Sequence, residues 1–140
     1  MIDSDPRDIV ARSPWFDGLP DEALQVLAGD YEGGQLLGPN GVAVDSNGTI
    51  FFTDSGPIGS TGLHRAKGSV FMVSPPTDPS GSTLRALILE KLAHPSGICV
   101  SEDGGIVYVT ETLSNRVLRL ARTPSGKIKR EATCCTFFLG

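Results

Sequence analysis

Residues 94 to 106, HPSGICVSEDGGI, overlie residues 38 to 50, GPNGVAVDSNGTI, when the chain is slid by 56 positions (96 − 40). The slide pairs Pro39 with Pro95, Gly41 with Gly97, Val44 with Val100, Gly48 with Gly104 and Ile50 with Ile106. After one inserted residue the match resumes, Thr53-Asp54-Ser55 against Thr110-Glu111-Thr112. Units repeated at such a period bury their faces against one another, so the fold must be read as stacked copies.

Each copy reads as four strands. GVAVD and IFFTD are short apolar strands joined through SNGT, where glycine supplies the positive backbone angle of a tight hairpin. Residues 55 to 67, SGPIGSTGLHRAK, form a glycine-rich excursion that lengthens the period; GSVFMVSP is a third strand and LRALILEKL a fourth. The second copy repeats the order as GICVS, GIVYVTE, NRVLRLAR and KIKREATCCTFFL. Four strands per unit, apolar on the inner pair and mixed on the outer pair, predict an all-β chain of β-propeller blades. The blades fall at about 38–92 and 93–140, within a propeller segment spanning 22–140, and residues 1–21 form a lead-in. LQVLAGD at 24–30 reads as the outer strand of a preceding blade, although Pro20 with Asp21 and Glu22 also resembles a helix start. Two blades leave strand edges open, which predicts further blades or another chain to cover them.

Composition narrows the partners. Of the 140 residues, 39% are hydrophobic and 20% charged, inside the globular range. A net charge of −4 argues against nucleic acid or an anionic membrane as the main partner. The basic run GKIKR at 126–130 alternates and reads as a solvated strand face. The acidic amino terminus lacks the pattern of an export signal, and no stretch reaches membrane-spanning length, so a cytoplasmic location is expected. Three cysteines suit free thiols: Cys99 as a buried strand residue, and Cys134 and Cys135 on opposite faces of a strand. Serine-hydrolase elbows, His-Glu-x-x-His, paired Cys-x-x-Cys and phosphate-cradling glycine loops are missing from the sequence.

At YEGGQLLGPNG, IFFTDSG, KGSVF and HPSGICVSEDGGIVYVTETLSNRVLRL the chain resembles the superfamily of gluconolactonases, senescence marker protein (regucalcin) and strictosidine synthase-like proteins. The resemblance covers about residues 26 to 122 and implies a partial six-bladed β-propeller. In the lactonases of that superfamily a single divalent metal, commonly calcium, sits in the central channel. Asparagine side chains from loops entering the innermost strands hold it, with carboxylates from other blades. Asn40 falls on such a position, and a hard cation there would polarise a lactone carbonyl or acidify a water. Ser96 stands where the next blade's asparagine is expected, and Gly41 where aspartate usually follows. The implied function is hydrolysis of a small lactone or ester. The alternatives are a strictosidine synthase-like protein without metal and a non-catalytic scaffold.

Other residues have both a chemical and a structural reading. Asp54 and Glu111 end equivalent strands; they either line the channel or bond loop amides, and Glu111 is placed to pair with Arg116. Asp45 and Asp103 are turn formers. His94, at the second blade's entry, is the candidate general base, and His64 in the glycine-rich excursion is a further candidate over the channel.

Overall fold

The computed structural model describes residues 29–59, 61–74 and 83–137. The lead-in at 1–21 and the helix-or-strand question at 22–28 lie outside the described residues. Within them the chain is all-β apart from one 3₁₀ turn at Thr112–Ser114. A two-stranded ribbon, β1 (Asp30–Tyr31) with β2 (Gly34–Gln35), leads into two four-stranded antiparallel sheets. The first is β3 (Pro39–Val44), β4 (Ile50–Asp54), β5 (Gly68–Val73) and β6 (Leu84–Leu92). The second is β7 (Pro95–Val100), β8 (Ile106–Glu111), β9 (Arg116–Arg122) and β10 (Ile128–Thr136). Each sheet is a meander whose strands pair in sequence order, the form of a propeller blade.

The inner hairpins of the two copies share one register. Val44 pairs with Ile50, and Val100 with Val107, so equivalence shifts from 56 (100 − 44) to 57 (107 − 50) between them. The inserted residue therefore sits in the turn before β8, where a loop tolerates it, and not inside the strand after Ile106. Asp45 makes its turn by accepting hydrogen bonds from the amides of Asn47 and Thr49, both at 2.9 Å. Asp103 accepts from the Ser101 hydroxyl at 2.7 Å and the Gly105 amide at 2.9 Å, and these bonds hold its carboxyl below the ordinary aspartate range.

The blades meet through an apolar layer. Phe51, Val70, Met72, Ile88 and Leu92 of the first sheet pack with Val107, Val109, Leu118 and Leu120 of the second, with Ile98 and Val100 at its margin. Strand alternation puts Phe52, Phe71 and Val73 on the opposite face of the first sheet, where Tyr31 and Leu36 cover them. Covered on both faces, β5 is buried at all six positions. The innermost strand β3 is instead half exposed, with Val42 at 67% and Val44 at 58% accessibility. The expected gradient from apolar inner strands to mixed outer strands is thus replaced by buried middle strands and exposed edges. A middle strand has neighbours on both sides, whereas β3 presents one face that nothing among the described residues covers.

Beside the apolar layer, Arg122 reaches from β9 across the blade boundary. Its guanidinium lies 4.8 Å from the centre of the Phe51 ring and donates to the Gly104 carbonyl at 2.6 Å. Burial pulls its pKa below the ordinary arginine range while Asp45 pushes the other way. The thiols differ from expectation: Cys99 is exposed, because it points away from the layer that takes Ile98 and Val100. A β-bulge between Thr133 and Cys135 breaks the alternation that would put Cys134 and Cys135 on opposite faces, and both are free and exposed.

Candidate functional site

Pro39 pairs with Asp54 and Pro95 with Glu111, so the loops entering β3 and β7 open at one end of both sheets. At that end the two innermost strands lie side by side. Thr53 joins them: its hydroxyl accepts from the Gly41 amide at 2.9 Å and donates to the Ser96 carbonyl at 2.7 Å. A Cβ on Gly41 would overlap the Ser96 carbonyl oxygen. The glycine at the position where the resemblance leads one to expect aspartate therefore has a steric cause, the close approach of β7.

Asn40 and Ser96 are brought to the same hub, where their side chains have different partners. Asn40 is exposed and donates through Nδ2 to the Ser55 hydroxyl at 3.3 Å, which leaves Oδ1 as an uncommitted acceptor. The Ser96 hydroxyl is half-buried between Thr110 at 2.9 Å and Thr112 at 2.7 Å. Three hydroxyls thus form a chain from the Gly97 amide, which donates to Thr110 at 2.6 Å, outward to Thr112. Thr110 and Thr112 were not singled out from the sequence as site residues. Their register opposite Ser96, in the repeat-equivalent segment Thr110-Glu111-Thr112, was the available signal.

Asp54 and Glu111, the channel-lining candidates, are buried at 3% and 2% accessibility and serve the backbone instead. Asp54 accepts from the amides of Leu37 at 2.9 Å and Gly38 at 2.6 Å. Glu111 accepts from the Ala93 amide at 2.7 Å and, at 2.5 Å, from Nε of Arg116 in the expected ion pair. Both carboxylates clamp the loop that enters the innermost strand, because those loop amides have no strand partner of their own. Neither is left free to face a channel.

His94 occupies the place that Gly38 holds in the first copy (94 − 38 = 56). Its backbone is left-handed, φ 56°, and its carbonyl accepts from the Thr112 amide at 3.0 Å. The side chain is buried, and Nδ1 has no hydrogen-bond partner. No bond joins the ring to Asn40 or Ser96 among the described residues. His64 is exposed in the 55–67 loop, away from any hub contact among the described bonds.

A hard divalent cation takes six to eight oxygen donors. The described residues offer Asn40 Oδ1 and shared neutral hydroxyls, and no group of three His, Cys, Asp or Glu side chains among them is arranged to hold a metal. These residues therefore do not compose a metal centre.

Two consecutive four-stranded meanders with a polar hub at the strand entries define a β-propeller segment. Residues 10–138 match the model of the SMP-30/Gluconolactonase/LRE-like region, and the chain belongs to that family. It is 31% identical over 100 residues to Protein STRICTOSIDINE SYNTHASE-LIKE 13 of Arabidopsis thaliana, covering 66% of this chain and 24% of that protein. Among solved structures, a gluconolactonase from Xanthomonas campestris matches at 27% identity and a TM-score of 0.59, over 77% of this chain and 37% of that one. A structure described as a putative gluconolactonase matches at 24% identity and a TM-score of 0.58, over 80% and 38%. The chain thus spans about a quarter of the length of the curated relative. No helix among the described residues is long and apolar enough to cross a membrane.

Proposed function

We propose that this chain supplies two blades of a lactone- or ester-hydrolysing propeller, with the Asn40 and Ser96 end as its substrate face. The observation that carries the reading is the paired polar floor on adjacent innermost strands: the exposed Asn40 amide beside the Ser96, Thr110 and Thr112 hydroxyl chain. The 27% identity to a gluconolactonase supports it. Neutral donors and acceptors in that arrangement bind and orient a carbonyl compound, and the Thr112 hydroxyl at the outer end of the chain is placed to donate to a carbonyl oxygen. Among the described residues no free carboxylate stands at the hub, so the general base is assigned to residues outside the described ones. Calcium is proposed only through Asn40, whose Oδ1 would be the one ligand among the described residues.

The test is turnover of glucono-δ-lactone with and without calcium. Asn40→Ala and Ser96→Ala are each expected to lower kcat/KM at least tenfold, about 1.4 kcal/mol, because each removes one positioned polar contact. Unchanged turnover in both variants would reject the substrate face. Unchanged calorimetric calcium binding in Asn40→Ala would reject the metal role. A second reading, a metal-free strictosidine synthase-like protein, is favoured by Ser96 and by the 31% identity to such a relative; it predicts that turnover is indifferent to calcium and chelator.

A further inference from the structure

Val42 and Val44 are the repeat equivalents of Ile98 and Val100, 56 positions earlier (98 − 42 and 100 − 44). The later pair packs against the layer between the blades, whereas the earlier pair stands exposed. Cross-strand pairing carries the likeness further: Val42 lies opposite Phe52 as Ile98 lies opposite Val109. The chain therefore has two sheet faces of one kind, and the covered one shows what such a face meets. Its cover is the other face of the first blade, where Ala43 pairs with Phe51. The second blade carries the same kind of covering face, with Cys99 paired to Tyr108. There Cys99 is exposed and Tyr108 half-buried.

The internal contact has one register along its length. A Cβ on Gly41 would lie 3.3 Å from Cγ2 of Ile98, Thr53 donates to the Ser96 carbonyl at 2.7 Å, and the Ser46 amide donates to the Glu102 carbonyl at 3.2 Å. β3 and β7 thus lie side by side with equivalent residues level, which sets Ala43 between Ile98 and Val100. We infer that a second copy of this chain packs head to tail on the first in that same register, the Cys99–Tyr108 face of one against the Val42–Val44 face of the next. Cys99 then sits between Val42 and Val44 of the next copy, a thiol and a tyrosine ring against valine methyls. Thr110 takes the Gly97 amide at 2.6 Å as Thr53 takes that of Gly41 at 2.9 Å. In the assembly its hydroxyl meets the Asn40 carbonyl of the next copy, as Thr53 meets Ser96, and so brings a neighbour's Asn40 beside the Ser96 hydroxyl. The contact joins unlike faces, so each added copy leaves one face of each kind free, and association builds a ring or a filament instead of a two-fold dimer. The inference rests on packing and is independent of the hydrolytic reading.

Two variants with one thiol each test the pairing of faces. Cys134→Ser/Cys135→Ser keeps only Cys99, and Val44→Cys/Cys99→Ser/Cys134→Ser/Cys135→Ser places the thiol on the opposite face; every altered position is exposed. Under mild oxidation the mixture of the two is expected to give a covalent dimer on a non-reducing gel, and either variant alone to stay monomeric. Dimers formed as readily by each variant alone show that like faces meet, and overturn the inference, as does a mixture that gives none. Sedimentation equilibrium of the unaltered chain supplies a measurement that needs no substitution: its mass is expected to rise with concentration past that of a dimer. Cys99→Arg, which would bury an unpaired charge in the contact, is expected to weaken that association by roughly tenfold or more. A monomer at every concentration assigns both faces to a different partner and overturns the inference, and so does self-association that Cys99→Arg leaves unchanged.

Discussion

Thr53 shows at the scale of one residue how the repeat makes a site. Its hydroxyl is fully buried, and it both accepts from its own blade at Gly41 and donates to the next blade at Ser96. Thr53→Val keeps the shape and removes both bonds, leaving the Gly41 amide and the Ser96 carbonyl without their partner. A loss of about 2 kcal/mol is expected, read as a lower urea midpoint with an unchanged slope. A variant as stable as the parent would mean that the two innermost strands are held by packing alone. Asn40 and Ser96 were legible in the sequence as hub residues because the repeat makes their positions equivalent and the family resemblance puts that position at the channel. Their partners were not, since Ser55, Thr110 and Thr112 meet them only through strand register. The two carboxylates were ambiguous for the same reason: nothing in the order of residues says whether Asp54 and Glu111 face an axis or the backbone amides of Leu37, Gly38 and Ala93.

At the scale of the element, alternation along each strand decides which blade face is shared. Phe51 points into the layer between the blades, and Phe52 points away from it toward Tyr31 and Leu36. Phe51→Ala is expected to cost about 3–5 kcal/mol, and the two blades should then still unfold in one transition, because the ring fills the layer common to both. Circular dichroism and the fluorescence of a tryptophan introduced at Tyr108, on the second blade, would report the same midpoint. Separate midpoints would show that the blades are independent. All eight blade strands lie where period-two patterning and turn residues put them. The burial of each strand did not follow from its own pattern. GSVFMV is buried throughout because it has sheet on both sides and cover on both faces, and β3, whose GVAV stretch is also apolar, is an edge.

At the scale of the whole molecule, the exposed face of β3 has physical consequences. Val42 and Val44 stand on a sheet face and edge that the described residues do not cover, which favours association of chains. The protein is expected to show concentration-dependent mass in sedimentation equilibrium, and Val42→Thr/Val44→Thr to reduce it. A mass independent of concentration in the unaltered protein would show that this face is covered in solution. By itself the sequence determined the strand order, the turns and the two-copy architecture, because those depend on local alternation, on glycine's backbone freedom and on the repeat. The tertiary structure alone decided that Gly41 must yield space to the Ser96 carbonyl, that Cys134 and Cys135 are both exposed because β10 is an outer edge strand, and that Asp54 and Glu111 are clamps. Each of these is set by what a strand finds beside it, a neighbour supplied by residues roughly 15 to 55 positions away and fixed only when the sheets close on one another.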